Sequence, residues 1–94
     1  MLVTFVSQKD DLEFRKWKTQ NPHGFLANEK EQGMLKRGNG ELILHKAACP
    51  HLVVPEGQCS TSYAKVACTD RSELVWWVTQ QGFAVVACTT CKPD

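Results

Sequence analysis

Two hydrophobic periods alternate along the chain. Leu2-Val3-Thr4-Phe5-Val6 is a short apolar run rich in β-branched residues, which predicts a strand. From Ser7 to Asp10 the residues favour a helix start, and Asp10, Asp11 and Glu13 suit the positive end of a helix dipole. The helix predicted over Asp10–Gln20 carries Leu12, Phe14 and Trp17 as its apolar positions, with Leu12 off the shared stripe. Arg15, Lys16 and Lys18 fall in its last turns, and Asn21-Pro22-His23-Gly24 ends it.

A second strand is predicted to begin at Phe25-Leu26-Ala27-Asn28. Between Glu29 and Gly40 the chain is polar and carries glycines, with Asn39-Gly40 reading as a hairpin-type turn into a third strand, Glu41–His45. Residues Pro50 to Tyr63, with Pro55 and Gly57, read as a loop, and Lys65-Val66-Ala67-Cys68 as a short strand. Asp70-Arg71-Ser72-Glu73 has capping-box spacing and starts a helix that runs to Gln81 and stops at Gly82. Leu74, Trp77 and Val78 share one face of it, whereas Trp76 lies about 100° from Trp77 and is expected to be partly exposed. Phe83-Ala84-Val85-Val86 is the last strand. The order β-α-β-β-β-α-β predicts an α+β fold with a small, mainly antiparallel sheet and two helices.

Composition narrows the function classes. Ninety-four residues suit a single domain, and 43% hydrophobic with 22% charged residues is a globular balance. Eleven Lys and Arg against ten Asp and Glu leave +1, which excludes a strong global field toward DNA or a membrane. No apolar run approaches the roughly 18 residues of a membrane span. MLVTFVSQKD has neither the basic region nor the long apolar stretch of a signal peptide, so a soluble, cytoplasmic chain is expected.

The cysteines carry the chemistry. Cys49, Cys59, Cys68, Cys88 and Cys91 are odd in number and cannot all pair as disulfides. Cys88-Thr-Thr-Cys91 can present two sulfurs to one metal ion, and no helix follows it to activate a redox dithiol. His45-Lys-Ala-Ala-Cys49 supplies an imidazole and a thiol at the end of a strand. His45, Cys49, Cys88 and Cys91 are therefore expected to form a closed Cys3His zinc site with a structural role. His51 is the first substitute ligand, followed by Cys68 and Cys59. Such a staple suits a domain this small, whose core alone is marginal.

His45-Lys-Ala-Ala-Cys49-Pro50, then a strand, a helix ending in Gly82-Phe83, and Cys88-Thr-Thr-Cys91-Lys92-Pro93-Asp94 together resemble the zinc-binding domain of the bacterial alkylation-response protein Ada and its small relatives. The likeness covers residues 44–94 and leaves the β-α-β-β part, 1–43, uncovered. It implies a zinc knuckle in which Cys49, Cys88 and Cys91 match the family's ligands. His45 stands in place of the cysteine that, in the family, accepts a methyl group from DNA. A zinc-bound imidazole is no such nucleophile, so alkyl transfer does not carry over. The family's basic residues around the C-x2-C are mostly replaced here, by Thr89 and Thr90, leaving Lys92.

Two binding functions follow, nucleic-acid binding as the first reading and a protein-interaction module as the alternative. As a nucleic-acid-binding module, the protein would use Arg15, Lys16, Lys18, Lys36 and Arg37 against phosphates, with Trp17 or Trp76 able to stack on bases. As a protein-interaction, accessory or inhibitor module, it would present Trp76, the 50–63 loop and the hairpin tip. An enzyme is not expected: four ligands close the metal site, Glu41, Glu56 and Asp70 are isolated carboxylates, and no nucleophile or phosphate-loop motif occurs. No small-molecule substrate is expected.

Overall fold

A computed structural model describes residues 2–6, 10–30, 33–49 and 64–93. Its elements are β1 (Val3–Phe5), α1 (Asp11–Gln20), β2 (Phe25–Glu29), α2 (Met34–Arg37), β3 (Gly40–Lys46), β4 (Lys65–Cys68), α3 (Arg71–Gln80) and β5 (Phe83–Ala87). The strands form one five-stranded sheet in the order β1-β4-β2-β3-β5. Neighbours pair antiparallel except β3 and β5, which run parallel. The α+β class and mainly antiparallel sheet match the sequence-based expectation, and α2 is added to its two helices.

Two crossovers build this order. β1 and β2 run the same way with β4 between them, joined through α1, while β4 and β5 run the opposite way, joined through α3. Both crossovers move in one direction across the sheet, so the right-handed rule requires their helices on opposite faces. Strand alternation prepares those faces, because successive side chains point to opposite sides. Ala27, Leu42, Leu44, Val66 and Cys68 pack with Leu74 and Val78 of α3. Phe5, Leu26 and Ala67 pack with Phe14 of α1, and Cys49 and Cys88 join this second cluster. Phe5 and Phe14 meet edge to face with ring centroids 5.3 Å apart.

The helices follow their stripes. Leu74 and Val78 are fully buried and Trp77 is half-buried, whereas Trp76 is 63% exposed. On α1, Phe14 is buried, Trp17 is half-buried and Leu12 is 61% exposed, as its off-stripe position implied. The Asp70 carboxylate caps α3 by accepting from the backbone N–H groups of Ser72 (2.8 Å) and Glu73 (3.2 Å). Glu73 does not close the capping box by bonding back to Asp70. Its carboxylate accepts from the Cys68 thiol at 3.2 Å, which holds its pKa below the usual carboxylate value. The backbone N–H of Asp70 in turn donates to Cys68 Sγ at 3.4 Å, so this buried thiol ties the end of β4 to the start of α3.

One local reading changes. Asn39-Gly40 is not a two-residue hairpin turn: β2 and β3 pair from Phe25↔Lys46 to Glu29↔Leu42, and their connection passes through α2. The cause is tertiary. The buried Glu29 carboxylate accepts from the backbone N–H groups of Leu35 and Ala64, both at 2.7 Å, and so gathers the polar stretch beside the sheet. Left-handed glycines, Gly33 (φ 89°) and Gly38 (φ 79°), bracket the resulting turn of helix. The predicted loop over Pro50 to Tyr63 lies outside the described residues. No helix among the described residues is long and apolar enough to cross a membrane.

Asp70→Ala removes two capping bonds from α3 and is expected to destabilise the protein by about 1 kcal/mol. The control Leu12→Ser, on an exposed position, is expected to change stability by less than about 0.5 kcal/mol. The shift in urea midpoint for both variants checks this pair.

Candidate metal centre

The parallel pairing of β3 and β5 assembles the centre. Leu44 lies opposite Ala87 in this ladder, and the Cys88 N–H extends it by donating to the Leu44 carbonyl at 2.9 Å. His45 and Cys88 are thus delivered side by side where the two strands end. Beyond β3 the chain turns back, with the Cys49 N–H bonded to the Lys46 carbonyl (2.9 Å) and the Ala47 N–H to the Gly24 carbonyl (2.9 Å). Beyond β5 it wraps in a single turn closed by Lys92 N–H to the Cys88 carbonyl at 3.1 Å, with Lys92 at φ 47°. The Arg71 Nε–H donates to the Pro93 carbonyl at 2.8 Å and fixes this tail to the first turn of α3.

These turns bring His45, Cys49, Cys88 and Cys91 together, their ligand atoms all within 4.8 Å of one another. His45, Cys49 and Cys88 are buried and Cys91 is half-buried. Cys49 Sγ and Cys88 Sγ are 3.8 Å apart, and neither is in a disulfide. Thiolates about 2.3 Å from a tetrahedral ion stand about 3.8 Å from each other, so the spacing suits a shared metal. The backbone N–H of Lys46 donates to Cys91 Sγ at 3.3 Å, a bond that orients a thiolate ligand and disperses its charge. His45 makes other interactions, while its Nδ1 atom is buried without a hydrogen bond among the described residues. The cluster can hold a metal ion with four protein donors.

The Cys88 thiol is poised for ionisation. Burial pushes the Cys88 pKa up, but the backbone N–H groups of Cys91 and Thr90 and the thiols of Cys49 and Cys91 outweigh it and hold the value at about 7. Ionisation is a requirement of metal binding, because the thiolate is the ligand.

All four expected ligands therefore meet. Cys68, a substitute in the sequence reading, points instead into the core on the α3 side of the sheet. His51 and Cys59 lie outside the described residues. The five basic residues proposed for nucleic acid are divided between two elements, α1 and α2. Arg15 pairs with Asp11 at 3.0 Å and Lys16 with Glu13 at 3.8 Å, both on α1. Lys18, also on α1, is half-buried with its Nζ 5.8 Å from the Phe14 ring centroid. Lys36 and Arg37 are exposed on α2, whose Leu35 packs against the opposite core cluster. Sequence reasoning missed the backbone donor at Lys46; the signal was its position directly after the first ligand at a strand end.

Comparison with protein-family models, curated proteins and solved structures returned no match.

The lowered Cys88 pKa has a sign that can be tested. Its contribution to stability in the metal-free protein is present above the ordinary thiol value of 9.0 and is lost as pH falls through about 7. Ultraviolet titration of thiolate absorbance in the metal-free chain is expected to show a step near pH 7 that Cys88→Ser abolishes. A first step only at the ordinary thiol value would contradict the assignment.

Proposed function

We propose that the protein is a zinc-stapled binding domain in which the metal is structural and the surface does the work. The observation that carries this reading is the convergence of one imidazole and three thiols from two chain segments about 40 residues apart. A soft, sulfur-rich set of four donors favours zinc over the hard cations, and a filled tetrahedron leaves no position for a substrate or an activated water. The resemblance of residues 44–94 to Ada-type zinc domains supports the same assignment, and His45 in place of the family's methyl-accepting cysteine argues against alkyl transfer.

A protein partner is the better-supported occupant of that surface. Trp76 stands 63% exposed on α3, and aromatic residues are the usual anchors of protein interfaces. Nucleic-acid binding draws on Lys36 and Arg37, which are exposed together on α2. Its support is weaker on α1, where Arg15 and Lys16 already pair with carboxylates and Lys18 is half-buried. Phosphate binding requires cations gathered on one face, and these five are divided between elements packed on opposite core clusters.

Elemental analysis of protein purified without added metal is expected to find one zinc per chain in the wild type and in Cys59→Ala, and none in Cys88→Ala. Absence of zinc from the wild type would overturn the reading. Tight, salt-dependent binding of an oligonucleotide, lost in a Lys36→Ala and Arg37→Ala double variant, would replace the protein partner with nucleic acid.

A further inference from the structure

The three thiols of the candidate metal centre are placed to react with one another as well as to share an ion, and the inference drawn from this rests on the zinc reading. Cys49 Sγ and Cys88 Sγ stand 3.8 Å apart, in contact but unbonded, and both are buried. Cys91 Sγ lies within 4.8 Å of each. It is the half-buried member of the three, so it is the sulfur that solvent reaches most readily.

A disulfide brings its sulfurs to about 2.05 Å and forms without strain only where the two backbones are already close. Here the ladder meets that condition. Cys49 and Cys88 are 39 residues apart in sequence, yet Leu44 lies opposite Ala87 and the Cys88 N–H donates to the Leu44 carbonyl at 2.9 Å. The Cys49 N–H is bonded to the Lys46 carbonyl, which folds Cys49 back beside the same strand end. Cys68 is set apart from this chemistry, because it packs on the α3 side of the sheet and donates to Glu73 at 3.2 Å.

We propose that the centre is redox-gated: a hydroperoxide ejects the metal and leaves a Cys49–Cys88 disulfide in its place. The Cys91 thiolate attacks one peroxide oxygen, so that an S–O bond forms, the O–O bond breaks and hydroxide or alkoxide leaves. The Cys88 thiolate then attacks the sulfenic sulfur of Cys91, forming a disulfide and displacing hydroxide. The Cys49 thiolate, in contact with Cys88, attacks the Cys88 sulfur and releases the Cys91 thiolate. In sum, two thiolates lose two electrons to the peroxide, whose oxygens leave as hydroxide or alkoxide. Only His45 and Cys91 remain as donors, too few for a four-coordinate structural site, and the ion departs. The new bond joins the same two segments that the metal joined, so a covalent staple follows the ionic one.

Hydrogen peroxide added to the full, zinc-loaded chain carrying Cys59→Ala tests this. Zinc release is read with a chromophoric indicator, and the disulfide is located by mass spectrometry of non-reduced peptides. One zinc is expected to leave for each Cys49–Cys88 bond formed, with Cys68 still reduced, and zinc is expected to rebind after a thiol reductant. The urea midpoint of the oxidised, zinc-free protein is expected to lie above that of the reduced, chelator-stripped protein. Zinc retained with its thiols intact would overturn the proposal, as would release through sulfinic acids or a final Cys88–Cys91 bond. A wild type that binds no zinc would bring down the metal reading itself, an outcome distinct from any of these.

Discussion

Parallel pairing between β3 and β5 is the constraint on which the rest depends. Two strands that run the same way end at the same edge of the sheet, so the residues that follow them emerge together. His45 at the end of β3 and Cys88 just beyond β5 are neighbours for that reason. Two tight turns then fold Cys49 and Cys91 back over them. An antiparallel pair would have sent the two segments to opposite ends of the sheet, and no choice of ligands could have repaired the distance.

That pairing has its own requirement. Strands β4 and β5 are parallel and separated by β2 and β3, so α3 has to cross the whole width between them. Asp70 caps its start, Cys68 and Glu73 lock it to β4, and Leu74 and Val78 seat it on the sheet. On the other face α1 covers the strands, and its Phe14 belongs to the buried cluster that also holds Cys49 and Cys88. Apolar burial holds the α3 face, and the residues of the candidate metal centre, Cys49 and Cys88 among them, join the smaller buried cluster on the α1 face.

The strands, the two long helices and the four residues of the candidate metal cluster were legible in the sequence because each depends on local chemistry. Alternating apolar residues specify a strand, a cap and a stripe specify α3, and C-x2-C with His-x3-Cys specifies a ligand pair wherever the backbone takes it. What was misread depended on a distant partner. Asn39-Gly40 looks like a hairpin because those residues favour such a turn, yet Glu29 organises the preceding segment through bonds to Leu35 and Ala64. Cys68, a substitute ligand in the sequence reading, is directed to the α3 side by strand parity. The surroundings of the five basic residues are likewise set by the fold: Arg15 and Lys16 are ion-paired, and Lys18 Nζ lies over the Phe14 ring.

By itself, then, the sequence determined which elements form and which four residues have metal-ligand chemistry, since propensity, capping and donor type act within a few residues. Tertiary structure alone decided that β5 joins β3 in parallel, that α1 and α3 occupy opposite faces, and that Cys68 joins the α3 side of the core. Those outcomes follow from crossover handedness and from burial between segments tens of residues apart, and neither is written in any short stretch of the chain.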